Sequence, residues 1–308
     1  MSFNVIVEWL QATLRWAAPL ILVSIGEVYS ERAGVINMGI EGIMLFGALC
    51  GIAVTYYTKS LAVAVLVTAF LGLILGLLVA FLTVSRRTNQ VVTGLMINML
   101  ALGATDLLFS YLSATRQQRS QTFPVIFPQS WRSIPFIGKI LFQQSISTWI
   151  IMILPIIAGA ILYKTRWGLN VRAVGDNPAS AETAGLSVVS IKYQAVVLSG
   201  IFAALGGAVL TLAEVGYFNA GGMVAGRGFI VMAACVVGGW DPIRTALVCI
   251  LFGAADAAQL RMQIAGSAIP VEFLQMLPYV ITVVALTIMV KKSRVPKTWG
   301  AIYDNRKK

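Results

Sequence analysis

The sequence has 308 residues, of which 58% are hydrophobic and only 11% charged, and its formal charge is +11 with no histidine. Because soluble domains carry about 25% charged residues, this composition excludes an ordinary soluble protein and indicates an integral membrane protein. The excess of Lys and Arg falls mainly between and after apolar segments, where such residues set membrane orientation, and it gives no support to nucleic-acid binding.

The same composition excludes several chemistries. Cys50, Cys235 and Cys249 all lie within apolar stretches and are interpreted as buried thiols, not as a disulfide framework. Without histidine or a CxxC pair, a zinc site, a histidine-based nucleophilic triad and haem ligation are poor hypotheses. The first residues, MSFNVIVEWLQATLRW, have an acidic residue before the first basic one and no suitable cleavage site, so we interpret them as a mature start.

Nine apolar segments are candidates for membrane helices, which need about 20 such residues to span the hydrocarbon core. They are residues 10–28, 39–57, 61–84, 91–112, 146–163, 195–213, 229–239, 243–260 and 274–290. The segment 229–239 is too short to cross alone. The sequence therefore predicts one all-α polytopic membrane domain over residues 1–308, with about eight to ten transmembrane helices that include broken or re-entrant segments.

Orientation follows from the basic residues of the loops. The tail, KKSRVPKTWGAIYDNRKK (291–308), holds seven basic residues and one aspartate, so it is expected to be cytoplasmic. Counting back through single crossings places residues 164–192 and the Arg86 and Arg87 pair on the same side. The loop 113–145 is also basic, yet this count puts it outside. The larger excess of Lys and Arg in the tail decides which side is assigned as cytoplasmic.

Two glycine-rich stretches resemble each other: GVINMGIEGIMLFG (34–47) and NAGGMVAGRGFIVMAACVVGG (219–239). Each follows a long apolar helix, begins with small and polar residues, and continues as an apolar run. Corresponding interruptions in two halves of a membrane chain are typical of broken helices at a transport site, and an inverted repeat is one interpretation. The first break is expected to point backbone N–H groups and a positive helix end at a cavity.

Within the first stretch, Asn37 and Glu41 have i,i+4 spacing and are expected on one side of a half-helix. A carboxylate inside the membrane is costly and faces a cavity or a partner. Two interpretations of Glu41 stay open: it lines a solute pathway together with Asn37, or it pairs with a base such as Arg32 or caps neighbouring backbone.

Other polar residues also fall in or near predicted spans. They are Asn98, Asp106 and Asp256 within spans, and Glu27 and Glu214 near span ends. Each is explained by interhelical hydrogen bonding as well as by solute contact. Together they predict a water-accessible interior, and Asn98 and Glu214 are kept as pathway candidates. Their scatter and the absence of histidine argue against a proton relay.

Tyr217 and Asn219 precede the second glycine-rich stretch. An aromatic ring beside an amide could stack on and hydrogen-bond a nucleobase or a sugar, whereas a Tyr at a span end is more often an interfacial anchor. Both residues are retained as pathway candidates, with the anchor as the alternative.

The most polar loop, KTRWGLNVRAVGDNPASAETAGLSVVSIK (164–192), contains a self-capped helix signal. Asn177 suits the N-cap, Pro178 the first helical position, and Gly185 the left-handed site after the helix. A helix this short is marginal in water, so it is expected to dock on a partner, unless it is only a connector. No GxxxxGK[ST] phosphate loop occurs, so ATP-driven work would require another chain.

Three stretches resemble one known family. ERAGVINMGIEGIMLFGA, WGLNVRAVGDNPASAETAGLSVVSIKYQAVVLSGIFAALGGAVL and AGRGFIVMAACVVGGWDPIRTALVCILFG resemble the membrane permeases of ribose and branched-chain amino-acid type ABC importers, and most closely the nucleoside and simple-sugar subgroup. The resemblance covers approximately residues 26–290. It implies a subunit of the prokaryotic cytoplasmic membrane that moves nucleosides, or alternatively simple sugars, by alternating access.

The resemblance also implies partners. Two permease chains, often two different homologues, sit on two cytoplasmic ATPases that hold ATP and Mg²⁺, so no cofactor is expected in this chain. An extracellular lipid-anchored binding protein delivers the solute. The family's ATPase-docking loop corresponds here to a set within residues 164–192: Arg172, Asp176, Asn177, Glu182 and Gly185.

Two other classes of function remain for comparison. An ion-coupled secondary transporter or channel would also use broken helices, and its uptake would follow an ion gradient without an ATPase. A membrane-embedded enzyme would need clustered catalytic groups, which the scattered carboxylates do not indicate.

Overall fold

The computed structural model describes residues 3–112, 122–125, 127–132, 138–219, 222–265, 270–289 and 295–303, and all regular structure within them is helical. In chain order the helices are α1 (Phe3–Arg32), α2 (Ile40–Thr58), α3 (Leu61–Ala80), α4 (Gln90–Tyr111), α5 (Gln129–Arg132), α6 (Ile146–Lys164), α7 (Arg166–Asp176), α8 (Pro178–Thr183), α9 (Val188–Val209), α10 (Arg227–Val237), α11 (Pro242–Ile264) and α12 (Val271–Met289). Turns of π-helix extend α3 over Phe81–Ser85 and α9 over Leu210–Val215, and a third covers Gly138–Phe142.

Seven helices of the described residues are long and apolar enough to cross a membrane: α1, α2, α3, α4, α6, α9 and α11. Two shorter apolar helices, α10 and α12, join them. Each apolar segment predicted from the sequence overlaps one of these helices, so the prediction of an all-α polytopic membrane protein is confirmed. With 11 residues, α10 is about 16 Å long, which is half of the hydrocarbon thickness.

Polar side chains determine where several helices begin. The Asn89 side chain accepts hydrogen bonds from the first backbone N–H groups of α4, and Asp241 does the same for α11, where Pro242 occupies the first turn. These are standard N-cap arrangements, and proline suits the first turn because its missing N–H has no intrahelical partner there. The caps allow short connections between long apolar helices.

The helix bundle is built around α1 and α9. The antiparallel helices α1 and α9 lie at the centre, α3 packs along α9, and α11 packs along α1. The contacts are made by glycines, with Gly26 against Ser199, Gly72 against Gly200 and Gly253 against Ala17, because small residues let helix backbones approach closely. Each central helix is followed by a break and a further helix, α2 or α10. This pairing agrees with the inverted-repeat interpretation.

The two ends of the helix bundle differ in their contents. At one end, called the tail end here, the segment 295–303 packs against α7, where Thr298 N donates to Gly175 O at 3.1 Å. The same end holds the last turn of α1 and the start of α9, since Gly34 lies against both Thr298 and Lys192. At the opposite, far end, Gln144 Nε2 donates to Gln11 O at 3.0 Å. The described residues just before α6 are therefore at the far end from the tail.

Candidate functional site

The break between α1 and α2 is closed by protein side chains. Backbone N–H groups of the break and of the first turn of α2 donate to side chains of α1 and α4: Ile36 N to Gln90 Oε1 at 2.8 Å, Asn37 N to Glu27 Oε1 at 3.0 Å and Gly42 N to Asn98 Oδ1 at 2.8 Å. The expectation that these N–H groups face a cavity was wrong. Unpaired backbone groups at this depth are costly, and neighbouring helices supply acceptors for them.

The side chains of Asn37 and Asn98 stabilise this break through hydrogen bonds. Asn37 is fully buried, its Nδ2 donates to Ser199 Oγ at 3.0 Å, and Ser199 Oγ donates to Glu27 Oε2 at 2.8 Å. Asn98 holds the first turn of α2 through Gly42 N and also donates to Met38 O at 2.9 Å. The helix begins at Ile40, so Asn37 precedes it, and the predicted shared helix face of Asn37 and Glu41 was wrong.

Glu41 joins the two glycine-rich stretches. Its Oε1 accepts from Gly226 N and its Oε2 from Gly228 N, both at 2.7 Å. Gly226 is the N-cap of α10 with φ +77°, a conformation that favours glycine. A Cβ at Gly228 would lie 2.8 Å from Glu41 N, so glycine is also needed for the close approach. The N-termini of α2 and α10 therefore meet at this carboxylate.

A base and a second carboxylate lie beside this junction. Arg227 Nη2 is 3.3 Å from Asp256 Oδ2 on α11, and the Arg227 guanidinium lies over the Trp16 ring, 5.1 Å from its centroid. Arg32, considered from the sequence as a partner of Glu41, donates instead to the carbonyls of Gly239 at 3.1 Å and Trp240 at 2.8 Å. Of the two alternatives to pathway lining, the structure thus favours backbone capping for Glu41.

A polar cavity of about 350 Å³ opens next to the junction, between α10, α11 and α12. Its lining residues are Gly222, Ala225, Arg227, Ile230, Asp256, Gln259, Gln275, Pro278 and Tyr279. Tyr279 Oη donates to Ala225 O at 2.6 Å, which holds this ring at the start of α10. The volume is within the range of small-molecule sites, about 300–1,000 Å³.

The remaining pathway candidates lie elsewhere. Glu214 borders a different cavity, of about 380 Å³, at the far end, together with Glu8 and Arg15. Tyr217 and Asn219 are exposed and do not line the cavity at α10. Sequence reasoning missed Arg227, Gln259, Gln275 and Tyr279. The two glutamines carry a usable signal, because an amide inside an apolar helix needs a polar partner. No group of three His, Cys, Asp or Glu side chains suited to a metal occurs in the described residues.

At the tail end, α8 forms as predicted. The Asn177 side chain accepts from Ser180 N at 3.1 Å, Pro178 is the first helical residue, and Gly185 has φ +84°. Leu186 N donates to Ala181 O at 3.0 Å and Gly185 N to Glu182 O at 2.9 Å, which together form a Schellman motif. Residues 183–185 are exposed, so the end of α8 is open for docking.

The other residues of the predicted docking loop lie around α8. Asp176 is exposed beside Asn177. The Arg172 guanidinium lies over the Tyr163 ring, 5.3 Å from its centroid, which fixes α7 against the end of α6. Glu182 Oε2 accepts from Tyr303 Oη at 2.9 Å. Burial and the Glu182 carboxylate raise the pKa of Tyr303, so the phenol stays protonated and donates this bond at neutral pH.

The tail segment connects α8 to the end of α10. Thr298 Oγ1 donates to Gly175 O at 2.6 Å, and Trp299 Nε1 donates to Glu31 Oε2 at 2.9 Å. Trp240, just after α10, donates to the same Glu31 oxygen, and the two indoles make an edge-to-face contact with centroids 5.8 Å apart. A continuous set of contacts therefore runs from α8 through the tail to the half-helix whose other end binds Glu41.

Comparison with known proteins agrees with this architecture. The chain matches the family model for the permease component of the branched-chain amino acid transport system over residues 10–291. It is 36% identical over 309 residues to the nucleoside ABC transporter permease protein NupC of Lactococcus lactis subsp. cremoris, and 35% identical over 312 residues to the guanosine ABC transporter permease protein NupQ of Bacillus subtilis, with 96% of each chain covered in both cases.

A putative glucose ABC transporter permease protein of Haloferax volcanii is 37% identical over 258 residues, which cover 82% of this chain and 77% of the relative. No solved structure matches the chain. The family match over most of the chain and the near-full-length relatives agree with the seven candidate membrane spans. The protein is thus an integral membrane protein that belongs to the family of permease components of the branched-chain amino acid transport system.

Proposed function

We propose that this chain is the membrane-spanning subunit of an ATP-driven importer of nucleosides in the cytoplasmic membrane. The observation that carries the transport proposal is the meeting of two interrupted segments at Glu41, next to a polar cavity inside an otherwise apolar bundle. Near-full-length similarity to nucleoside and guanosine permeases supports the choice of solute. Simple sugars are the second candidate, because a putative glucose permease is also similar.

In this proposal the tail end faces the cytoplasm, in line with its basic loops and tail. A separate ATPase, which holds ATP and Mg²⁺, docks on α8 and the surrounding residues 164–192. A second, homologous permease chain completes the membrane unit, and a binding protein outside the membrane delivers the solute. This chain binds solute only weakly, because transport requires release as well as entry.

The contacts at the tail end suggest how ATPase motion would reach the solute cavity. Movement of α8 pulls on Tyr303 through Glu182, and the tail transfers this movement to the Glu31, Trp299 and Trp240 contacts. Trp240 lies three residues after the end of α10, so this movement is passed on to the half-helix. Its N-terminus then shifts relative to Glu41, which changes the side of the membrane to which the cavity opens.

Reconstitution tests this function. The tagged chain is purified in mild detergent with the proteins that accompany it, identified by mass spectrometry, and placed in liposomes with the cognate binding protein. We expect a Walker-motif ATPase and a second permease to co-purify, and labelled nucleosides to accumulate only with ATP. ATP-dependent uptake of glucose and not of nucleosides would establish the sugar alternative. Uptake that needs no ATPase and follows an ion gradient would establish a secondary transporter.

Replacing Gly185 tests the docking role of α8. Gly185→Val places a β-branched residue at φ +84°, which costs about 1–2 kcal/mol or more and disrupts the Schellman motif. We expect nucleoside uptake per ATP hydrolysed to fall severalfold while the amount of inserted protein is unchanged. Gly185→Asn is the matched control, because asparagine tolerates this conformation. Equal coupling in both variants would exclude a role for this cap in ATPase docking.

A further inference from the structure

The cavity between α10, α11 and α12 has the composition of a solute site. Two amides, Gln259 and Gln275, and one phenol, Tyr279, surround it. An amide offers two donors and one acceptor oxygen, which suits the edge of a nucleobase or the hydroxyls of a ribose. An aromatic ring provides a face on which a base can stack. Polar side chains in this position would be costly against lipid, so they need water or a solute.

One buried polar atom of a lining residue has no hydrogen-bond partner among the described residues. Arg227 Nε donates no hydrogen bond, whereas Arg227 Nη2 pairs with Asp256 Oδ2 at 3.3 Å. An unpaired buried donor in a native protein calls for an explanation, such as a water molecule or a ligand.

The charges around the cavity favour a neutral solute. Both oxygens of Glu41 accept the N–H groups of the α10 N-terminus, so this positive helix end is already compensated and does not form a free anion site. Arg227 is compensated by Asp256 at 3.3 Å. A phosphate would therefore find no unpaired positive charge in the lining of this cavity, where Arg227 is already paired with Asp256.

We propose that this cavity binds the base and ribose of an uncharged nucleoside, contacted by Gln259, Gln275 and Tyr279, and that it selects against nucleoside phosphates because its lining offers them no unpaired positive charge. This inference rests on the proposed function and identifies the site that performs it. It makes Gln259 and Gln275 the residues that determine solute specificity.

Cysteine protection tests the site in membranes that contain the complete permease–ATPase complex. Gln259→Cys and Gln275→Cys are each labelled with a water-soluble methanethiosulfonate reagent, and the rate is measured with adenosine, guanosine or uridine and with each 5′-monophosphate. Thr58→Cys, exposed at the far end of α2, is the control for indirect effects. The unchanged chain gives the background of its own three cysteines, of which Cys235 and Cys249 are buried.

With a nucleoside at about ten times its dissociation constant, occupancy predicts a roughly tenfold slower labelling of the cavity cysteines. The monophosphates should not slow the labelling of the cavity cysteines. No nucleoside should slow the labelling of Thr58→Cys. Equal protection by a nucleoside and its monophosphate would overturn the proposed selection against nucleoside phosphates. Unprotected labelling of both cavity variants, while unmodified cells take up nucleosides, would overturn the site and leave the proposed function standing. Absence of nucleoside uptake by unmodified cells would overturn the proposed function itself.

Discussion

Replacing Glu41 with glutamine is expected to abolish most nucleoside uptake while leaving the chain inserted in the membrane. The carboxylate accepts two backbone N–H groups at 2.7 Å, from Gly226 and Gly228. An amide has one acceptor oxygen and a donating NH₂ group, so one backbone N–H loses its acceptor and faces another donor. A hydrogen bond to a charged group contributes about 2 kcal/mol, which corresponds to an approximately 10- to 30-fold change in the population of the closed junction.

Initial uptake rates in reconstituted liposomes measure this effect, with protein amount determined by immunoblot. Glu8→Gln is the matched control, since it makes the same chemical change at an exposed residue of the far end. Glu8 pairs with Arg261, and exposed ion pairs of this kind contribute little to stability. Uptake by the Glu41→Gln variant within twofold of the unchanged chain would refute a working role for this junction.

The Glu41 junction also explains why a glycine-rich membrane segment contains a glutamate. Two helix N-termini, those of α2 and α10, converge there, and each carries a partial positive charge of about half a unit. Without an acid between them the two ends would repel each other, and the N–H groups of α10 would be buried unpaired. The carboxylate therefore holds the two halves of the bundle together at their interruptions, and a change in this contact alters both halves at once.

What the sequence could predict depends on the range of the interactions. The caps of α8 were predictable because Asn177, Pro178 and Gly185 act within a few residues of one another. The partner of Glu41 was not, because Gly226 is 185 residues away and contributes backbone N–H groups, which have no side-chain signature. The two glutamines of the cavity were missed because an uncharged amide is a weaker signal than a carboxylate in an apolar segment, although it too needs a polar partner. Only the arrangement of α10, α11 and α12 brings Gln259 and Gln275 to one cavity.

Replacing Gly207 with alanine is expected to destabilise the bundle strongly, whereas the same change at Gly103 should not. A Cβ at Gly207 would lie 1.8 Å from Met44 O on α2, and the reciprocal position on α2, Gly47, would place a Cβ 2.0 Å from Ala204 O on α9. Both neighbours are backbone atoms, so the helices must separate and lose contact along their length. Overpacking of a core costs about 1–3 kcal/mol and more when backbone must move.

Gly103 on α4 is the matched control because a Cβ there meets no atom within 4 Å. Alanine is better than glycine in a helix by about 0.5–1 kcal/mol, so Gly103→Ala should be neutral or slightly stabilising. The measurement is the midpoint of thermal aggregation in detergent, followed by size-exclusion chromatography. We expect a marked fall for Gly207→Ala and none for Gly103→Ala. Equal midpoints would mean that α2 and α9 do not pack at backbone contact, and the junction at the start of α2 would then lack the rigid support that positions Glu41.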